Sequence, residues 1–559
     1  MKRVLIYVVV ALMLWQPCVS AYAAQPSDPA GVAEEPSDGI EETLDAAGAS
    51  AGAAESSDAA AESTVTAQEL KIKAAVEGAI KEKLTDGIEK TYTKIAADAS
   101  VVITCEQEIS SLYILFDRIF GSWMLSDGET QVVCGENDFL HEYVDVAGLF
   151  GYSPTTLTLT FPERDGALSE LHAFGEGRVP DWVQKWQPPC EEADLLLDST
   201  HVDDEQLFFA GVLPYYAGEC GLAVQVVYFT DPFTYHDRQH EQLNGLWTVG
   251  VRNYPISSQF KDAYSTTSKD AYAHQENYGF SREDIVRFQV EMIRRFRPHV
   301  VVGHDINGEY GHGQHMINCE TLMDALDLAA DDTYDPDSIL AYGTWDTPKA
   351  YIHLWEENPI VMDWDIPLET FGGKTAFQVS QEGFLCHESQ QWTWFRGWIF
   401  GKNKEITKAS EIKTYSPCHY GLYRTTVGLD EAGGDMFENI PMSYAEIREE
   451  ELRQQQEELR RQQEELEEAE RKAREAAELA KKEKEQADAA ASGQTETGEG
   501  KSAGEGLTDN RDTYQTESTD GESAVGFAII LTITILCGAA VTYIALKTRR
   551  KAKGRRKRF

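Results

Sequence analysis

Apolar and polar positions change their rhythm several times along the chain. Over 67–98 the apolar residues Ile72, Val76, Ile80, Leu84, Ile88 and Ile95 recur at helical spacing, which predicts an amphipathic helix. From 99 to 190 short apolar runs at 112–116, 131–133, 143–146 and 156–161 alternate with Gly, Asp and Pro signals, which predicts strands of a β-sandwich. From 191 to 440 largely apolar runs at 193–197 and 223–228 and a strand at 299–303 alternate with helical patterns at 204–217 and 282–297. That alternation predicts an α/β domain built on a mostly parallel, Rossmann-like sheet. The first of these helices should stop at Gly218. Over 443–491 Glu, Gln, Arg, Lys and Ala leave too few apolar positions for a coiled-coil seam, so a charged single helix with i,i+4 ion pairs is expected.

Composition adds the ends. The chain has 559 residues, enough for more than one folded domain. Residues 1–23 read as a signal peptide, with Lys2 and Arg3, an apolar stretch and an Ala21-Tyr22-Ala23 cleavage site. Residues 24–66 and 492–523 are polar and low in complexity, and read as a disordered acidic linker and a flexible linker. The apolar run 525–546, followed by a basic tail at 547–559, predicts a single membrane span with the bulk of the chain outside the cell. The formal net charge of −44 argues against nucleic acid as a partner, since phosphate binding needs a basic face. Seven cysteines lie between the signal and the span; Cys105 and Cys134 form the candidate disulfide pair, and none has C-x-x-C metal spacing.

Two segments carry candidate chemistry. In Leu195-Leu-Leu-Asp-Ser-Thr-His201-Val-Asp203-Asp204-Glu205 a buried strand runs out into a loop and a helix begins. Ligands sit at the carboxyl ends of strands in such sheets. His201 and Asp204, three apart across this turn, can converge on one metal ion, while Asp203 can face a water. Glu205 falls in the first helical turn, where a carboxylate favours the dipole and can brace the loop. The second segment runs Pro298-His-Val-Val-Val-Gly-His304-Asp-Ile-Asn-Gly-Glu-Tyr-Gly-His312-Gly-Gln-His315. A strand again ends in a glycine-rich loop, with two histidines three apart. Two imidazoles, one carboxylate and an open position make a catalytic zinc set.

Together these segments resemble the PIG-L/LmbE de-N-acetylases, which carry an HPDDE motif and a later GHxxH. The resemblance covers roughly 193–438, with Val202 in place of the family's proline. Arg238-Gln-His-Glu241 is similar to the family's RxxE, and His387-Glu-Ser-Gln390 to a later HxSQ. The resemblance implies that His201, Asp204 and His315 bind Zn2+. It implies Asp203 as general base, His312 as a group that steadies the oxyanion or protonates the leaving amine, and Arg238 as a substrate contact. The implied activity is hydrolysis of an N-acetyl amide on an amino-sugar or glycoconjugate. Leu168-Ser-Glu-Leu-His-Ala-Phe-Gly175 looks like the closing strand of a galactose-binding-like sandwich.

Several residues have plainer readings. His304 reads as loop structure, His236 and His240 as rim residues, and Trp392, Trp394 and Trp398 as core aromatics or a sugar-stacking platform. Two other functions use the same features. One is a surface glycan-binding protein or adhesin with a non-catalytic α/β domain. The other is an amidase for a non-sugar N-acyl compound.

Overall fold

The computed structural model describes residues 65–492 apart from Glu163 and Tyr235. The expected signal peptide, most of the first linker, the second linker, the span at 525–546 and the basic tail lie outside the described residues. Among the described residues no helix is long and apolar enough to cross a membrane. The single-pass localisation is therefore corrected and is not carried further.

The N-terminal part holds ten strands in two antiparallel sheets. One contains β1 (Lys73–Val76), β2 (Ala79–Ile80), β4 (Ser100–Thr104), β6 (Trp123–Ser126), β7 (Gln131–Cys134) and β9 (Thr156–Thr160), ordered β2-β1-β4-β9-β6-β7. The other contains β3 (Thr93–Ile95), β5 (Ser111–Arg118), β8 (His141–Asp145) and β10 (Gly166–Phe174), ordered β3-β10-β5-β8. Val101 and Ile103 of β4 and Leu157 and Leu159 of β9 alternate with less buried residues and belong to one apolar cluster with Leu112, Ile114 and Phe116 of β5. This is the period-two pattern of strands with one wet face.

The amphipathic helix expected over 67–98 is absent; β1, β2 and β3 occupy that stretch. The reason is arithmetic. Residues four apart share a helix face, but four is also even, so they share a strand face as well. Ile72 and Val76 are buried that way, while Ile80 is 64% exposed. Gly78 and Gly87, both at positive φ, supply the turns that a continuous helix would not accept. The expected Cys105–Cys134 pair is also not formed, and both are free thiols.

The second part is built on a seven-stranded sheet ordered β13-β12-β11-β14-β15-β17-β16. Its strands are β11 (Leu195–Ser199), β12 (Val224–Thr230), β13 (Ile256–Phe260), β14 (Val300–Gly303), β15 (Lys349–His353), β16 (Pro359–Val361) and β17 (His419–Thr425). β13, β12, β11, β14 and β15 pair in parallel, and β17 runs antiparallel to both β15 and β16. Helices cover both faces, so these strands are apolar on both sides. Helix α1 (Asp204–Leu207), helix α2 (His236–Thr248) and helix α5 (Ala376–Leu385) pack on one face, through residues such as Leu207, Leu243 and Phe377. Helix α3 (Arg282–Phe296) and helix α4 (Gly313–Ala330) pack on the other, through Val290, Ile293, Leu322 and Leu326. A Ser281/Asp284 capping box starts α3. The helix expected over 204–217 is shorter than its pattern implied. It breaks after α1 and resumes as a π-helical turn, Pro214–Glu219, that includes Gly218. Gly211, at φ +100, makes the break: a Cβ there would lie 2.3 Å from the buried Trp364 ring.

β11 leads to β12 on one side, whereas β14 returns to its other side. The carboxyl ends of β11 and β14 therefore flank a topological switch point, where open α/β sheets bind ligands. Helix α6 (Tyr444–Ser492) carries exposed i,i+4 pairs such as Lys472–Glu468 at 2.8 Å.

Candidate active site

The loop after β11 presents His201 and Asp203 and ends at Asp204, the first residue of α1; the segment after β14 ends at His312, and the first turn of α4 carries His315. All five are buried. Three donor atoms meet at the switch point. His201 Nδ1 lies 3.1 Å from Asp204 Oδ2 and 3.1 Å from His315 Nε2, and His315 Nε2 lies 3.2 Å from Asp204 Oδ2. This near-equilateral triangle is close to the edge of about 3.3 Å that tetrahedral zinc bonds of 2.0–2.1 Å would set between ligands.

The protons are arranged to leave these atoms as acceptors. His315 Nδ1 lies 2.6 Å from Glu309 Oε2 and donates to it, so Nε2 keeps its lone pair. His201 Nε2 faces Asp262 Oδ1 at 3.3 Å, so Nδ1 keeps its own. Three lone pairs pointing at one another repel unless a cation lies between them, and two imidazoles with one carboxylate suit zinc. The residues present fit the metal that the sequence implied. In the metal-free protein a proton takes that place: burial opposes charge on His201, but Asp262 and Asp204 outweigh it and push its pKa up to about 10. Burial likewise opposes charge on Asp204, yet His315 and His201 hold it well below the usual carboxylate range.

His312 and His304 also come close enough to form alternative triads, His201–His312–His315 and Asp204–His304–His315. His304 is excluded by its bonds. Its Nε2 accepts from the Thr200 backbone N–H at 2.9 Å, and its Nδ1 donates to Glu309 Oε2 at 2.9 Å. It is thus a brace between the two loops, in keeping with a loop-structure reading. The Nδ1 of His312 has no hydrogen-bond partner. Burial, then His201 and His315, pulls its pKa down to about 2, so it stands neutral beside the triad.

Asp203 has φ 135°, rare for a non-glycine residue. The Glu205 side chain accepts from the Asp203 backbone N–H at 2.9 Å and braces this turn. Burial raises the Asp203 carboxyl to about 6 against the pull of Arg238. Arg238 bonds to the Val202 carbonyl and lies 3.4 Å from Asp203 Oδ1. The RxxE and HxSQ segments lock together: Glu241 accepts from the Ser389 backbone N–H at 2.7 Å and its hydroxyl at 2.6 Å.

Sequence reasoning missed three supports. Glu309 gathers His304, His315 and His353, the last at 2.6 Å from Oε1. Its place six residues before a metal-type histidine was the available hint. Asp262 follows β13 in a tyrosine-rich stretch without a motif, and His353 ends β15; both reach the site only through the sheet. The rim reading of His240 is corrected, since it is buried against the β-strand part. Of the tryptophans, Trp392 is 84% exposed, while Trp394 packs edge-on to Tyr310.

No protein-family model matches the chain. Over 144 residues it is 31% identical to 1D-myo-inositol 2-acetamido-2-deoxy-alpha-D-glucopyranoside deacetylase 2 of Saccharopolyspora erythraea, covering 26% of this chain and 43% of the relative. Over 55 residues it is 46% identical to a 1D-myo-inositol 2-acetamido-2-deoxy-alpha-D-glucopyranoside deacetylase of Geodermatophilus obscurus, covering 10% of this chain and 18% of that relative. The chain is weakly homologous to GlcNAc-inositol deacetylases. It spans less than half the length of these curated relatives. A solved structure of N,N'-diacetylchitobiose deacetylase from Pyrococcus horikoshii aligns at 15% identity and a TM-score of 0.30, over 42% of this chain and 84% of that one.

Proposed function

We propose that this protein is a zinc-dependent deacetylase of the PIG-L/LmbE type, hydrolysing the N-acetyl amide of an amino-sugar or glycoconjugate. The observation that carries the reading is the convergence of His201 Nδ1, Asp204 Oδ2 and His315 Nε2 within 3.2 Å of one another, beside a buried Asp203. Within this reading the seven-stranded sheet is a Rossmann-like catalytic domain over about 191–440, and the two antiparallel sheets are a β-sandwich.

A zinc ion held by His201, Asp204 and His315 supplies Lewis acidity toward an amide carbonyl and lowers the pKa of a water to about 7. The chain's own residues do the rest. Asp203, with a carboxyl near 6, is ionised at neutral pH and takes the proton of the attacking water. Neutral His312 offers an N–H to the carbonyl oxygen as charge builds on it. Because an amide nitrogen leaves only when protonated, Asp203, now carrying the water's proton, delivers it, since neutral His312 could give its N–H only by becoming an imidazolate. Arg238 holds Asp203 in place and faces the substrate.

The test measures bound zinc and acetate released from a panel of N-acetylated sugars, for the wild type and Asp203→Asn. One zinc per chain, with acetate release that the substitution abolishes, supports the reading. Absence of both zinc and turnover overturns it.

A further inference from the structure

The side chains of α2 divide between two partners. Asp237, His240, Asn244 and Trp247 succeed one another at intervals of three, four and three, and so form one face of the helix. Each engages the N-terminal β-strand part. Lys90 lies 3.8 Å from Asp237, and the Trp247 indole N–H donates to the Asp181 carbonyl at 2.8 Å. Arg238 and Glu241 lie on the adjoining face and hold Asp203 and Ser389.

The centre of this contact is a chain of hydrogen bonds with one consistent direction. Asn244 donates to Glu89 at 2.9 Å, and Gln184 donates to the Asn244 side-chain oxygen at 2.6 Å. The Gln184 oxygen accepts from the Trp186 indole at 2.8 Å, so it also accepts from His141 Nδ1 at 2.9 Å. That fixes the proton of His141 on Nδ1 and leaves Nε2 as an acceptor. His240 Nδ1 donates to it across 2.8 Å. Both rings are buried, at 0% and 2% exposure, so water does not compete for the bond. A linker-tethered module would not need a directional, buried bond to the helix that carries Arg238.

We propose that the N-terminal β-strand part is a positioning element of the active site, in which the His141–His240 bond fixes the rotation of α2 and thereby seats Arg238 against Asp203. The proposal rests on the deacetylase reading for its kinetic consequence. Its leverage follows from helix geometry. A turn of about 10° moves an atom ~6 Å from the helix axis by roughly 1 Å. A misplacement of about 1 Å far from the chemistry can cost on the order of a hundredfold in rate. His141 and His240 touch no reacting atom, so they are positioning residues.

The experiment uses the full chain and two variants, His240→Ala and His240→Asn. Asparagine places an amide N–H where Nδ1–H stands, and so can remake the bond to His141. The readouts are kcat and KM for acetate release from N-acetylglucosamine conjugates, zinc content, and the crystallographic position of the Arg238 guanidinium. For His240→Ala we expect full zinc, a fall in kcat of about tenfold to a hundredfold, and Arg238 withdrawn from the Val202 carbonyl. For His240→Asn we expect both kcat and the Arg238 position restored. A His240→Ala protein with wild-type kcat and Arg238 still on Val202 overturns the proposal. Should that variant fail to fold, Asn244→Ala, which cuts the same chain at its part-buried end, is judged by the same criteria. If the wild type releases no acetate, the deacetylase reading falls, and the Arg238 position alone decides the positioning.

Discussion

Glu309→Gln perturbs the proposed metal site without replacing a ligand. The Glu309 carboxylate is fully buried. Its Oε2 accepts from His304 and His315 at 2.9 and 2.6 Å, and its Oε1 accepts from the Asp305 backbone N–H at 3.2 Å and lies 2.6 Å from His353 Nδ1. A glutamine can keep only one of these oxygens. It should place its carbonyl toward His304 and His315, because His353 can yield. With Nε2 donating to the Ser416 carbonyl at 2.9 Å, His353 can turn its Nδ1 into an acceptor for the new amide. The direct loss is then one weak bond, from Asp305, and folding should survive. What disappears is the negative charge that makes His315 a strong donor. Changes of this kind typically weaken metal binding about 10- to 100-fold, which is roughly 1.4–2.7 kcal/mol. Competition against a zinc chelator reads the affinity, and a melting curve reads the fold. A Glu309→Gln protein that binds zinc within about twofold of wild type would show that the carboxylate only packs the loop, and would refute this account.

Three further outcomes follow from the same structure. Acetate release should fall as pH drops through about 6, because Asp203 works as the carboxylate and burial raises its carboxyl to that value. A pH–rate profile of kcat checks it. In Arg238→Gln the acid limb should move to higher pH, since Arg238 favours the ionised form, and an unmoved limb would assign it to another group. Asp198 is buried in β11 and raised to about 7 by that burial, against the bonds from Gln289 and Asn318. A carboxyl raised on folding stabilises most below its unfolded value, and that contribution is lost as pH rises through about 7. Asp198→Asn should therefore gain stability relative to wild type as pH rises from 5 to 8, by on the order of 3 kcal/mol between the two ends of the range. Denaturant melts at the two pH values read the difference.

Much of the second part was legible because its signals are local. Leu195–Leu197 and Val300–Val302 are the apolar runs that a doubly covered strand needs, and His201, Asp204, His312 and His315 follow them within one strand-to-helix connection each. Such a loop leaves the strand at a fixed end of the sheet, so sequence distance becomes spatial distance. The first part was less legible. The spacing of Ile72 and Val76 fits a helix face and a strand face equally, and pairing of β1 with β4 decided between them. The break after Leu207 was hidden too, because it depends on the room that Trp364, far along the chain, leaves at Gly211.

The sequence by itself determined the kind of chemistry that can be proposed, through the identity and short-range order of the groups at the ends of β11 and β14. Tertiary structure alone decided which groups those residues lean on. Asp262 reaches His201 from the loop after β13, Glu309 links His315 to His353 of β15, and His141 bonds His240 from 99 residues away. The reason is physical. A strand ending in a loop imposes its geometry within a few residues, whereas a buried donor finds its acceptor through whichever strands and helices pack beside it. No local pattern records that packing.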